Sequence, residues 1–477
     1  MKKILPPLVL LCAVAFVAVS LLPPRNRGPF DVVGFGRLPV LVNGRLKPFD
    51  TVARTALLMI CNATANSPDS TSIVTPDFRK PDATEAIRRM FGGGTAVKGE
   101  LTPTAWLLDV MFRPEAADTY RVFVVDNFDL LTLLNLKRED GLDRRRFAFS
   151  EFEAALPELE RQEKLAEPVE TSQRSAFQRS VIQMYENVIL YERLQHSLVP
   201  PGATDFLGDL LNFQKSLPAG AAAARAKEAK QPYDEAAAKQ MTDLGEQFMT
   251  MERFAYLLAV PPAADAKSPT DWRTTGSALL ETFGTGRIDP AVLTYAAFAQ
   301  TWRQDQPEQF NKLVGLYHDE LAKRFAPVLE KCQVEARFNA AAPFYRSETL
   351  YVAAFFAAVF AWMVWPRELG RVAFFLVAVA WLATTAGILT RMWLEGRPPV
   401  TNLYSSALFV GWGAVALCLG LEAIYQNAVG SAAAGMVGFT TLLIADHLAQ
   451  SGDTLEMMRA VLDSNFWLAT HVVVVAS

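Results

Sequence analysis

The stretch Leu350-Tyr-Val-Ala-Ala-Phe-Phe-Ala-Ala-Val-Phe-Ala-Trp-Met-Val-Trp365 carries no charge, and three more apolar segments follow at about residues 372–393, 403–425 and 432–449. A helix rises 1.5 Å per residue, so about 20 apolar residues cross a bilayer core of about 30 Å. This end of the chain therefore reads as a helical membrane bundle. Charge usage agrees. Ser347 to Ser477 holds 5 Lys/Arg and 8 Asp/Glu in 131 residues, about one charge in ten, whereas the preceding 346 residues hold about one in four. The whole-chain values, 51% apolar residues and a net charge of −4 over 477 residues, blend two solvents. They exclude a disordered chain and a purely soluble enzyme. A slightly acidic chain with no basic face also gives no reason to expect a nucleic-acid partner.

Working outward, Lys2-Lys3 precedes an apolar run from Ile4 to Leu22, interrupted only by Pro6-Pro7. It is read as an uncleaved anchor over residues 1–24, with a cleaved signal peptide as the rival reading. Residues 25–346 form a soluble domain large enough for two subdomains. In it, Leu38-Pro-Val-Leu-Val-Asn-Gly-Arg45 predicts a strand and an Asn-Gly turn. Asp50 to Ile60 predicts a helix capped by Asp50, and Thr104 to Phe112 an amphipathic helix ending before Pro114. Phe177, Val181, Met184, Val188 and Tyr191 recur at helical spacing, and the Ala-, Lys- and Glu-rich run from Ala219 to Lys239 predicts a surface helix or linker. At the other end, a fifth apolar segment begins near Phe466 and reaches Ser477 after about 12 residues, less than a span, so further polypeptide is expected to complete it.

Four cysteines show no Cys-x-x-Cys spacing; Cys61 and Cys332 are either a pair or two buried thiols. Phe91-Gly-Gly-Gly-Thr95 lacks the Gly-Lys-Ser/Thr of a phosphate loop and reads as a turn, and Arg144-Arg-Arg146 reads as a solvated loop. His196 and His318 have structural contexts, and His447 sits near the end of a span. His471 differs: it lies about 8 Å inside an apolar helix, with no charged neighbour until Asp463. An ionisable group there is a functional candidate, and a neutral imidazole is a good axial ligand for haem iron. The bland reading, a buried histidine, stays open beside it. In Glu395-Gly-Arg-Pro-Pro-Val-Thr-Asn-Leu-Tyr-Ser405, two prolines stiffen the loop and Asn402 can cap the next helix. Arg397 is either a partner for a carboxylate such as a haem propionate or a snorkelling interfacial cation.

Arg397-Pro-Pro-Val-Thr-Asn-Leu-Tyr-Ser-Ser406, running into Ala-Leu-Phe-Val-Gly-Trp412, and Val461-Leu-Asp-Ser-Asn-Phe-Trp-Leu-Ala-Thr-His-Val472 together resemble the CcsA/ResC-type cytochrome c assembly family. Leu38-Pro-Val-Leu-Val-Asn-Gly-Arg-Leu-Lys-Pro48 and Trp106-Leu-Leu-Asp-Val-Met-Phe112 resemble the long extracytoplasmic region that precedes this module in some bacterial members. The resemblance implies a haem-handling protein that presents haem b at the outer face of the membrane for thioether formation on apocytochrome c. It implies His471 as an axial iron ligand, with Trp467, Arg397 and Asn402 in the haem-binding set. It also implies a CcsB/ResB-like membrane partner and a thioredoxin-like thiol reductant. Whether such a chain is itself an enzyme is left open, because the family's tryptophan-rich haem loop and second external histidine have no match here, and Ser405 stands where the family often has Glu.

The expected fold class is mostly α: a polytopic helical membrane protein with a large, mainly helical extracytoplasmic domain, and residues 347–477 forming the partial assembly module. The expected location is the bacterial inner membrane, with the large domain on the periplasmic side. The rival functional class is a non-enzymatic membrane scaffold or receptor whose soluble domain binds a partner protein.

Overall fold

The computed structural model describes residues 4–61, 73–74, 100–138, 145–263, 268, 270–449 and 452–456. Helix α1 (Leu5–Ser20) leads into the soluble part. Strands β1 (Pro39–Val42) and β2 (Arg45–Pro48) form an antiparallel hairpin with Val42 opposite Arg45. The predicted turn closes it: Asn43 and Gly44 both have positive φ, 51° and 77°, the conformation that a two-residue type I′ loop demands. Helix α2 (Phe49–Cys61) follows. Asp50 lies inside its first turn rather than at the cap, where its carboxylate accepts from Arg54 Nε at 2.8 Å.

Helix α3 (Pro103–Phe112) is capped by Thr102, and all ten of its residues are buried. The expected amphipathic stripe is absent because the domain wraps every face of this helix. Its one acid, Asp109, accepts from Tyr120 Oη and from Trp302 Nε1, both at 2.9 Å, and burial raises its pKa against the pull of these two bonds. Short strands β3 (Arg121–Val124) and β4 (Arg146–Ala148) pair antiparallel. Helix α4 (Ala176–Gln195) buries Val181, Met184, Val188 and Tyr191 as the spacing predicts, behind a Ser175/Gln178 capping box. The Ala-rich run divides between α5 (Phe206–Glu228) and α6 (Glu235–Phe254). With α7 (Thr275–Thr285) and α8 (Pro290–Arg303), these elements enclose one contiguous apolar core that runs from Phe35 to Leu329.

Helix α9 (Pro307–Ala341) spans 35 residues and joins the two solvent regimes. Phe310, Val314 and Tyr317 sit in the soluble core, and Glu335 near the other end faces the junction. Phe325 departs from helical geometry two residues before Pro327. The proline ring removes an N–H and crowds the preceding turn, which accounts for the bend. Ala342 ends the helix in the left-handed conformation, and α10 (Pro343–Met363) starts at once.

The membrane bundle continues with α11 (Pro366–Glu395), α12 (Leu403–Tyr425) and α13 (Val429–Ala449), which among the described residues are the three helices long and apolar enough to cross a bilayer. Two expected spans fall outside that set. Helix α1 has 16 residues, about 24 Å of helix, and the first two turns of α10 carry Tyr345, Arg346, Ser347 and Glu348. Both nevertheless pack into the bundle: α10 lies between α11 and α13, and α1 runs along α11. The result is a mostly helical membrane protein, as expected. At the end away from the soluble domain, Glu422 accepts from the N–H groups of Ala428 at 2.8 Å and Ser431 at 3.2 Å, filling the start of α13 with a carboxylate. Trp362 Nε1 donates to Asn427 O at 2.9 Å on the same side.

Small residues set the spacing inside the bundle. A Cβ on Gly438 would lie 2.9 Å from the Tyr351 ring of α10, so α13 and α10 can touch at that point only because no side chain intervenes. Gly438→Leu is expected to cost about 1–3 kcal/mol, read as a lower thermal midpoint of the detergent-solubilised protein; an unchanged midpoint refutes the packing account.

Candidate functional site

The site is built on strand alternation. Arg45 and Lys47 lie two residues apart on β2, so they share a face of the hairpin. Both point at the segment Gly452–Glu456, which follows α13. Lys47 Nζ donates to Asp453 Oδ2 at 2.8 Å and to Glu456 Oε1 at 2.7 Å. Arg45 reaches the same Asp453 oxygen and grips Glu335 of α9 with both Nη atoms, at 2.7 and 3.0 Å. Thr51 Oγ1 adds a bond to Glu335 at 2.6 Å, and Asn43 Nδ2 donates to Glu456 at 3.1 and 3.2 Å. Within the segment, Asp453 Oδ1 accepts from Leu455 N at 3.0 Å, as in an Asx turn.

The membrane helices hold the same segment from the other side. Arg391, just before the last turn of α11, donates to Thr454 Oγ1 and Thr454 O, each at 2.8 Å, and to Glu395 Oε1 at 3.2 Å. Its guanidinium stacks 4.6 Å from the centre of the Tyr404 ring. Asn402 does two jobs: its Oδ1 accepts from Ser405 N at 2.8 Å and caps α12, and its Nδ2 donates to Thr454 O at 2.9 Å. The stiff loop 396–402, the junction at Ala342 and the segment Gly452–Glu456 thus share the end of the bundle that carries the soluble domain.

Burial makes this cluster strong and demanding. Lys47 is 2% exposed, and the Asp453 side chain 5%. Burial alone would push the Asp453 pKa up, but Arg45 and Lys47 outweigh it and hold the carboxyl well below its usual range. The cations respond in kind: burial works to lower the pKa of each, and Asp453, joined by Glu335 at Arg45 and by Glu456 at Lys47, more than reverses it. Beside the cluster lies a cavity of about 410 Å³, with Lys47, Asn43 and Asn402 on its polar side and Met59, Leu403 and Leu448 on its apolar side. A smaller space of about 120 Å³, reaching Arg54, Asn339 and Arg391, shares the wall formed by Gly452, Asp453 and Thr454. The arrangement suits a ligand with an apolar body and polar or anionic groups at one edge.

Of the residues that the sequence put forward, Asn402 lies on the cavity wall. Arg397 is partly exposed in the loop after Gly396, away from the cavity-lining set. His471 and Trp467 lie outside the described residues, as does Phe91–Thr95. His196 closes α4 with its Nδ1 2.7 Å from Glu192 O, and His318 Nε2 lies 3.0 Å from Gln333 Nε2, both structural arrangements. Cys61 and Cys332 are separate buried thiols, not a disulfide, and burial pushes the Cys332 pKa up strongly. Sequence reasoning missed Lys47, Arg391 and Asp453. The available signal was a lysine at an inward position of a strand and an arginine near the end of a span, each needing a partner acid.

Asp453→Asn is expected to destabilise the protein by about 3 kcal/mol, since it takes from buried Lys47 and half-buried Arg45 the carboxylate they share. Because the folded pKa of Asp453 is depressed, its contribution is complete above the unfolded carboxyl value, about 4, and fades as pH falls below it. Thermal midpoints measured between pH 7 and pH 3 should therefore converge for the parent and Asp453→Asn proteins; curves that stay parallel contradict the ion-pair account.

No protein-family model matches the chain. Several curated relatives do, among them three described as cytochrome c biogenesis protein CcsA. The protein of Prochlorococcus marinus (strain NATL2A) is 32% identical over 106 residues, 21% of this chain and 32% of the relative. That of Synechococcus sp. (strain CC9902) is 31% identical over 144 residues, 28% of this chain and 46% of the relative, and that of Synechococcus sp. (strain CC9311) is 29% identical over 119 residues, 24% and 37%. The chain thus spans about a third to a half of the length of the curated relatives it matches. Over that part, this membrane protein is a relative of the CcsA-type cytochrome c biogenesis proteins.

Proposed function

We propose that this protein works in cytochrome c biogenesis, handling haem as its cargo at the membrane face that bears the soluble domain and delivering it for covalent attachment to apocytochrome c. The observation that carries this reading is the similarity to CcsA proteins, together with an amphiphilic cavity whose wall is the segment Gly452–Glu456. Fifteen residues after Glu456 comes His471 in Trp-Leu-Ala-Thr-His. The cavity supports the reading through its apolar side, where Met59, Leu403 and Leu448 suit the face of a porphyrin, and through the amides of Asn43 and Asn402 on its polar side.

In this reading, His471 supplies a neutral imidazole as an axial ligand to the iron, and Trp467 packs beside the macrocycle. Arg397 faces a propionate from the stiff loop, and Asn402 keeps that loop and the Gly452–Glu456 segment in register. Attachment needs reduced cysteine thiols on the apocytochrome, hence a thioredoxin-like reductant, and the family resemblance points to a CcsB/ResB-like membrane partner. The location is the bacterial inner membrane, with the large domain on the periplasmic side. Long domains translocate largely regardless of charge, which accommodates the arginines at its borders.

Two measurements test the reading. Protein purified from membranes should show a Soret band that His471→Ala abolishes or shifts, and a band identical in both proteins refutes the ligand assignment. For sidedness, Cys61 and Cys332 are too buried to label, so the probe is a Ser172→Cys variant at an exposed position. A membrane-impermeant maleimide should label it from the periplasmic side of intact cells; labelling only after lysis refutes the orientation.

A further inference from the structure

We infer that Arg346, held over Phe16 where α1 and α10 meet the soluble domain, binds the phosphate of an anionic phospholipid. Arg346 is the fourth residue of α10 and is half-buried. Its guanidinium lies 4.5 Å from the centre of the Phe16 ring of α1. Its Nε is buried with no hydrogen-bond partner, and among the described residues no acid pairs with it. A guanidinium stays charged and carries five N–H donors. The ring attracts the cation, but it does not replace the oxygens that those donors need. A phosphate presents two oxygens at the spacing of the guanidinium fork, which is the match that favours arginine over lysine at such groups.

Depth identifies the source of that phosphate. The charge-free stretch Leu350–Trp365 begins four residues after Arg346, about 6 Å along the helix. Phe16 lies four residues, again about 6 Å, before α1 ends at Ser20. Both helices therefore put the guanidinium at the border of the apolar layer, where lipid headgroups stand. Farther from the soluble domain, α1 keeps Leu8, Leu11 and Val14 exposed, a surface that suits acyl chains. The sign of the border favours an anionic headgroup. Arg25 is exposed five residues after α1 ends, and Arg337 is exposed four residues before α9 ends. The neighbouring acids are already paired: Asp50 holds Arg54, Glu335 and Asp453 hold Arg45, and Glu395 holds Arg391. Glu348, two residues after Arg346, feels Asp446 of α13 instead. The site lies outside the cavity at the hairpin, so it stands whatever cargo that cavity takes.

The test uses the full chain purified from membranes in mild detergent. The probes are phosphatidylglycerol, phosphatidylcholine with the same acyl chains, and inorganic phosphate. Retained lipid is counted by native mass spectrometry, and the thermal midpoint is followed alongside as a check on folding. The parent should keep phosphatidylglycerol several-fold better than phosphatidylcholine. Arg346→Gln should lower the retained phosphatidylglycerol several-fold. Arg346→Lys, which keeps the charge and loses the fork, should fall between the two. Phe16→Leu should weaken retention about two- to five-fold by removing the ring that holds the cation. Arg179→Gln, at an exposed position of α4, should change nothing. Equal retention of the two lipids by the parent overturns the inference, as does undiminished phosphatidylglycerol on Arg346→Gln with a midpoint near that of the parent. Displacement of the lipid by inorganic phosphate at matched concentration also overturns it, because the site then takes free phosphate. Should Arg346→Gln not fold, full retention by both Arg346→Lys and Phe16→Leu refutes the site equally.

Discussion

The placement of the segment Gly452–Glu456 depends on two cations of one strand, buried Lys47 and half-buried Arg45, facing a carboxylate that follows a membrane helix. Lys47 and Asp453 are almost fully withdrawn from water, and each makes sense only in the presence of the other. Lys47 would otherwise be a lysine in the wall of an apolar hairpin, and Asp453 an aspartate held among spans. Their attraction offsets their desolvation only in one geometry. Arg45 extends that geometry to Glu335, and Arg391 extends it into the bundle.

The two halves of the molecule are therefore not beads on a linker. Helix α9 passes out of the soluble core and ends at Ala342, where α10 begins without an intervening loop. Around this covalent link, the polar contacts of Gly452–Glu456 close a ring: hairpin, segment, loop 396–402, α11 and back through α9. A closed ring of this kind gives a stable location to a chain segment that no regular element holds.

Much of the fold was legible. Four uncharged or nearly uncharged segments in the last 131 residues announced the bundle, and Asn43-Gly44 announced the hairpin turn, because both signals are local. Asn402 was legible as a cap for the same reason. Expectations erred where burial rather than periodicity decided the outcome. Helix α3 is enclosed on every side, so Thr104–Phe112 has no polar face to show. Asp50 was displaced from the cap because the strand β2 runs directly into α2. The cluster of Lys47, Arg391 and Asp453 was invisible because its members are scattered over about 400 positions and each has an ordinary surface reading.

By itself, the sequence determined that a charged, water-soluble region precedes an apolar helical bundle, since partition between water and lipid is a property of local composition. It also determined where helices and turns begin, through caps, prolines and Asn-Gly. Only the tertiary structure decided that β2 meets the end of the last described span, and that Arg391 and Asn402 hold that same segment from beneath. Ion pairing between residues so far apart has no local signature; it exists only once packing has brought the charges together and excluded the water that would otherwise separate them.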